Sequence, residues 1–211
     1  MINSKFFLID FSQPSLYTSI FFIILCPILY NLLARLEYFY KSISKIFNGD
    51  KKRANKVYSF FMMLVGIIRN YFYYEALKVQ PTISYESYDQ LLFTLSIFVA
   101  AFGLTLIIFS SFRLGVRGVY YADYFDIKMD FTVNVFPYNI ISDPLYVGTT
   151  MCFLSYALYK GSLAGLMLTS GVLLMYMVAL RFEDEMLKII YPNDNKLNSN
   201  EKSEGKTENQ K

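Results

Sequence analysis

The apolar residues of this chain are gathered into runs long enough to cross a lipid bilayer, and no other feature restricts its fold so strongly. An α-helix needs about 20 apolar residues to cross ~30 Å of hydrocarbon at ~1.5 Å per residue. Hydrophobic residues make up 55% of the 211, too clustered for a soluble domain of this length. The first run extends from Leu16 to about Ala34 with Pro27 at its centre, where the ring removes a backbone donor and favours a kink. It either spans or dips in and returns. The second, Val57 to Leu77, and the third, Leu91 to Phe112, read as firm spans. The last apolar region, Tyr146 to Leu180, is too long for one crossing, and Lys160-Gly161-Ser162 interrupts it with turn-forming residues, which predicts a helical hairpin. The expected fold is all-α: a polytopic transmembrane helix bundle with a C-terminal helical hairpin. One membrane-embedded domain covers residues 1–192, followed by a polar tail, 193–211, that cannot bury enough surface to offset its ordering entropy.

Charge sets the expected orientation. Between Arg35 and Lys56 there are seven Lys or Arg against Glu37 and Asp50, whereas between Glu75 and Gln90 Lys78 faces Glu75, Glu86 and Asp89. The positive-inside bias puts the first loop in the cytosol. With the hairpin crossing twice, the stretch from Arg113 to Asp143 and the C-terminal tail share that side. The first apolar run follows only Lys5 and lacks a small-residue cleavage site, so it reads as retained. A net charge of +3 with no basic stripe interleaved with aromatics gives no reason to expect a nucleic-acid partner.

Residue types narrow the chemistry. The chain has no histidine, which removes His-containing triads and His-ligated metal centres. Cys26 and Cys152 lie inside apolar segments without CxxC spacing and read as packing residues. Acid–base work therefore falls to carboxylates, Tyr, Lys or water. Glu183, Asp184 and Glu185 directly follow the apolar run ending at Leu180, where acids oppose the helix dipole if the helix stops there. Either they are solvated or the helix continues past them, or they accept hydrogen bonds and attract a cationic ligand at the membrane face. Asn139, Asp143, Pro144, Tyr146 and Gly148 form N-x-x-x-D-P-x-Y-x-G, with Asp143 in the N-cap position and Pro144 in the first turn. That start is structural, or its free N–H groups receive an anion. Small residues in Ala101-Phe102-Gly103 suit helix packing better than a ligand. Arg69 and Asn70 within the second span are costly in lipid, unless Arg69 reaches an interface.

Taken together, the residues resemble the small phosphatidylethanolamine N-methyltransferases across roughly 6–192. The resemblance rests on Asn31-x-x-Ala34-Arg35-x-Glu37, on Asp123-Tyr124-Phe125, on the stretch from Val135 to Ile140 leading into Asp143-Pro144-Leu145-Tyr146-Val147-Gly148, and on Val178 to Asp184 with Ile190-Tyr191. It implies an endoplasmic-reticulum membrane enzyme of four or so spans that transfers methyl groups from S-adenosylmethionine to a phospholipid amine, ending in phosphatidylcholine. A mitochondrial membrane is the other location left open. By the same resemblance, the cofactor lies against a GxG element at about Ala101, Phe102, Gly103 and Leu104, of which only Gly103 survives. It also lies against Tyr146, Gly148 and an acidic pair, Glu183 and Asp184, where Asp stands for the usual second Glu. Glu37, Asp123 and Tyr124 are the candidates to accept the amine proton. The P-x-Y-x-G element also resembles the isoprenylcysteine carboxyl methyltransferases, but Ser142-Asp143 replaces the basic residue and His that precede it there. A non-catalytic membrane scaffold is the reading from another class. The number of methylations performed and the oligomeric state are left open.

Overall fold

A computed structural model describes residues 8–83, 86–128 and 135–192; the expected polar tail lies outside them. The described residues form helices and no strand: α1 (Pro14–Tyr40), α2 (Ser42–Ile46), α3 (Lys51–Val79), α4 (Glu86–Val119), a 3-10 turn (Ala122–Phe125), α5 (Pro144–Tyr159) and α6 (Leu163–Ile190). Three stretches are long and apolar enough to cross a membrane: α1, the stretch from Gln90 to Phe125, and α6. α3 contains the expected Val57–Leu77 span and is 29 residues long, but its basic first turns and Arg69-Asn70 make it less apolar. α5 has only 16 residues.

The re-entrant alternative for the first run is not what forms. α1 continues through Pro27 without reversing, and Asn31 Nδ2 donates to the Pro27 carbonyl at 3.3 Å. The helix stops at Lys41, which adopts a left-handed conformation (φ 53°) while its N–H donates to the Glu37 carbonyl. α3 then begins earlier than its apolar run, at Lys51, because Asp50 caps it by accepting from Arg53 N at 3.0 Å. The expected hairpin is present. Ser162 accepts from Gly165 N to start α6, and Gly161 supplies the positive φ of the turn (55°).

Two sets of polar links mark opposite ends of the bundle. At one end, Asp10 N donates to Gln80 Oε1 (2.9 Å) and Ile83 N to the Gly161 carbonyl (2.8 Å). At the other, Asp126 pairs with Lys41 (2.7 Å) and Lys51 (2.9 Å), Asn55 Nδ2 donates to the Tyr120 carbonyl (3.0 Å), and Arg35 reaches the Phe182 carbonyl (2.7 Å). The ends of α1, α4 and α6 thus gather at one end with the start of α3, as successive crossings require. Near the first end, the core is Leu16, Tyr73, Leu77, Phe153 and Leu168. Tyr73 Oη there meets the Phe153 and Gly165 carbonyls and Thr169 Oγ1 at 2.9–3.2 Å. Ala34, Tyr58, Met62, Tyr124, Phe125 and Met186 form a second core toward the other end.

α4 packs chiefly on α5, and the closest approach is glycine on glycine. A Cβ on Gly103 would stand 2.8 Å from the Gly148 carbonyl oxygen, and one on Gly148 would stand 2.7 Å from that of Gly103. Backbone atoms cannot swing aside as a side-chain end can, so the two helices would have to part. Gly148→Ala is expected to cost about 1–3 kcal/mol, read as a lowered melting temperature of the detergent-solubilised protein. An unchanged melting temperature would show that the crossing is not as tight as described.

Candidate active site

The break that ends α4 builds one wall of the site. Gly115 leaves helical geometry (φ 62°, ψ 172°), and Tyr121 and Asp126 both take left-handed conformations around the 3-10 turn. This path turns Tyr121 into the bundle, where it is buried. Pro144 opens α5, which places Tyr146 in its first turn. α6 runs on to Ile190, so the acids after Leu180 are not at a helix end and meet no opposing dipole there. At ~100° per residue only one of the three can face inward. Glu183 does; Asp184 and Glu185 are exposed, the latter 3.6 Å from Arg35.

Glu183 Oε2 accepts from Tyr146 Oη at 2.9 Å and from Tyr121 Oη at 3.1 Å. Each phenol has one proton. With both given to the carboxylate, the 3.1 Å between the two hydroxyls carries none. The cluster joins the exit of α4, the start of α5 and the far part of α6.

Cavities lie on both sides of it. One of about 190 Å³ is bordered by Asp123, Asp143, Glu183, Tyr138 and Gly118. The other, about 280 Å³, is bordered by Tyr30 and Asn31 from α1, Met63 and Arg69 from α3, and Tyr176 from α6. Tyr121 and Tyr146 line both. Three carboxylates around the smaller cavity favour a cation there. Burial, and then the charge of Asp184, push the Asp143 carboxyl above its ordinary range. Asp143 holds the N-cap position of α5, but its side chain makes no capping bond, contrary to its expected role. The Tyr138 hydroxyl is buried without a hydrogen-bond partner beside the same cavity.

The structure brings together Asp123, Tyr146 and Glu183 from the residues expected by sequence. Asp184 is outside the cavity and acts on it only through its charge on Asp143. Tyr124 is fully buried in the second core and borders neither cavity. Glu37 is committed elsewhere: its carboxylate accepts from Ile43 N (2.7 Å), Ser44 N (3.1 Å) and the Ser44 hydroxyl, capping the start of α2. Ala101, Phe102 and Leu104 face outward from the bundle, while Gly103 and Gly148 occupy the helix crossing. Sequence reasoning missed Tyr121 and Gly118. The signal was present in Gly115-x-x-Gly118, just ahead of Asp123-Tyr124-Phe125.

The described residues thus define a helical membrane protein with three carboxylates around one cavity and a second, more apolar cavity beside it. Comparison with known proteins then gives the family. The family model described as phospholipid methyltransferase matches residues 91–194. Among curated relatives, phosphatidyl-N-methylethanolamine N-methyltransferase of Schizosaccharomyces pombe is 39% identical over 169 residues, 80% of this chain and 86% of that one. The protein of the same name from Saccharomyces cerevisiae is 40% identical over 82% of this chain and 84% of its own length. Human phosphatidylethanolamine N-methyltransferase is 33% identical, covering 87% and 91%. The chain belongs to the phospholipid methyltransferase family. It is a methyltransferase and a multi-pass membrane protein, as the sequence resemblance implied, and not the prenyl-cysteine enzyme or scaffold. No solved structure matches.

The commitment of Glu37 to α2 separates a structural role from a catalytic one. Glu37→Ala leaves two backbone N–H groups and a hydroxyl without their acceptor and is expected to cost about 1–3 kcal/mol of stability. The folded fraction should keep its specific activity. Loss of turnover with an unchanged melting temperature would instead put Glu37 in the chemistry.

Proposed function

We propose that the chain methylates the amino nitrogen of phosphatidylethanolamine or its mono- and dimethyl derivatives with S-adenosylmethionine, ending in phosphatidylcholine. The observation that carries this reading is the Tyr121–Tyr146–Glu183 cluster standing between an acidic cavity and a cavity on the bilayer side. The names of the two yeast relatives favour the monomethyl lipid as acceptor. The reaction is assigned to the cytosolic face of the endoplasmic reticulum, because the basic stretch between Arg35 and Lys56 lies at the same end as the cluster.

The acidic cavity fits the cofactor by its donor set. Asp123, Asp143 and Glu183 suit a positive charge and accept hydrogen bonds from an amino group or hydroxyls, and the unpartnered Tyr138 hydroxyl offers one more polar contact. When bound, S-adenosylmethionine supplies an electrophilic methyl on a sulfonium cation. Tyr121 and Tyr146, fixed by Glu183, line both cavities and so flank the junction at which amine and methyl would meet. The amine must lose a proton before it becomes a nucleophile. Asp123 is the one of the three expected acceptors that borders the cavity, and it takes the proton directly or through water. Orientation at near-attack distance and exclusion of water supply most of the acceleration.

Membranes devoid of other phospholipid methylation, supplied with labelled S-adenosylmethionine and phosphatidylethanolamine or its monomethyl form, test the reading. Label should enter phosphatidylcholine, and Glu183→Ala should lower the rate by roughly 10²-fold or more. No labelled lipid from inserted, folded protein would overturn it. Cofactor affinity carries a second test. Because Asp143 keeps its proton to a higher pH than an ordinary carboxyl, its pull on a cation is absent below that raised value and present above it. The same raised value makes its contribution to the stability of the ligand-free protein disappear as pH climbs through it. Binding of S-adenosylmethionine should therefore tighten as pH rises above the ordinary carboxylate range, and Asp143→Asn should flatten that dependence. A pH profile identical in the two proteins would remove Asp143 from the cofactor site.

A further inference from the structure

The larger cavity contains a charge that the methyl-transfer reading has not used. Arg69 lies within α3, and instead of reaching an interface it turns inward and is 7% exposed. Its Nη1 donates to Tyr176 Oη at 2.5 Å, and Nε and Nη2 both donate to Asn70 Oδ1, at 3.4 and 3.2 Å. The guanidinium sits 5.0 Å from the ring centre of Phe153 and 5.6 Å from that of Tyr176. These contacts fix its plane and leave it charged. Of its five N–H donors, three are used. No carboxylate pairs with Arg69 among the described residues.

A guanidinium removed from water without a counter-anion is costly, and more so in a bilayer. An intramembrane guanidinium held only by neutral groups marks a place where a ligand can supply the anion. The cavity it borders also contains Asn31, whose buried side-chain oxygen has no partner and accepts from N–H groups. Met63 and Ile67, 42% and 55% exposed on α3, stand at its edge toward the bilayer. From Arg69 the cavity leads through Tyr176 to Tyr146, their rings 4.9 Å apart, and so to Glu183. A lone cation and an unpaired acceptor between an apolar lip and the tyrosines match a zwitterionic amphiphile whose amine leads toward Glu183 and whose anion follows it to Arg69.

We propose that Arg69 is the residue that binds the phosphodiester of the phospholipid acceptor, with Tyr176 and Asn70 as its positioning residues. The inference rests on the phospholipid methyltransferase reading. An oxyanion of the same chemistry is present in the cofactor's carboxylate, but the three acids lie in the other cavity, which favours the cofactor there and leaves Arg69 to the lipid.

The test compares two acceptors in the full-length, detergent-solubilised enzyme: phosphatidyl-N-methylethanolamine, and a dialkylglycerol ether carrying the same N-methylaminoethyl group without phosphate. Wild-type enzyme should favour the phosphate-bearing lipid in kcat/KM by roughly 10–100-fold, as expected for charge-assisted hydrogen bonds. Arg69→Met should bring the two acceptors within about threefold of each other by raising KM for the phospholipid, with direct binding of S-adenosylmethionine unchanged; Arg69→Lys should retain part of the preference. If Arg69→Met does not fold, the wild-type preference and its partial loss in Arg69→Lys still decide. Equal use of both acceptors by the wild type would overturn the inference alone. So would weakened S-adenosylmethionine binding in Arg69→Met with the lipid preference intact, which would assign the guanidinium to the cofactor. No transfer to either acceptor would overturn the functional reading and this inference with it.

Discussion

A carboxylate buried beside a bilayer must find hydrogen-bond donors inside the protein, and Glu183 finds two phenols. Those phenols arrive from separate parts of the chain, so satisfying one charge fixes the exit of α4, the start of α5 and the far part of α6 against one another. Each element contributes a local feature that makes this possible. Gly115 interrupts α4 so that Tyr121 turns inward, Pro144 starts α5 just before Tyr146, and uninterrupted helix beyond Leu180 sets the rotation of Glu183. The glycine pair at Gly103 and Gly148 lets α4 and α5 come close enough for the exit of one to reach the first turn of the other.

The polar interior is divided by sign. Carboxylates border one cavity and a lone guanidinium borders the other, with the two tyrosines between them. In a low-dielectric surrounding such a division creates a strong field along the line joining the cavities. A field of that direction orders two ligands of complementary charge distribution without any moving part. Outside the membrane core the charges do more ordinary work: Asp126, held below the usual carboxylate range despite partial burial by Lys41 and Lys51, ties the 3-10 turn to the ends of α1 and α3.

Much of the fold was legible because its signals are local. Apolar run length gave the three stretches able to cross, α1, Gln90 to Phe125 and α6, but not the lower hydropathy of α3, and Lys160-Gly161-Ser162 gave the hairpin turn. Glu183 and Tyr146 were readable through family likeness. What could not be read depends on rotation and on distant partners. Whether Arg69 snorkels or turns inward is decided by Tyr176, 107 positions away. Which of three consecutive acids faces inward depends on helix running unbroken past Leu180, and the proline that marks its end, Pro192, comes only after the Tyr191 cap. Glu37 was a candidate through family likeness and the absence of histidine; its hydrogen-bond partners belong to a five-residue helix too short to leave a periodic pattern. Gly103 and Gly148 stand at the helix crossing, the packing role that small residues within a span suggest.

The length of α5 reaches beyond the molecule. Its 16 residues rise about 24 Å, less than the ~30 Å of an average hydrocarbon layer, and it finishes with Tyr156, Tyr159 and Lys160 stacked cation over ring. Aromatic and basic side chains of that kind settle at headgroup depth. The turn at Gly161 thus stands nearer the Glu183 end of the bundle than an average full crossing would place it. A helix one turn shorter than the average hydrocarbon layer carries a mismatch cost that grows with the thickness of the bilayer around it.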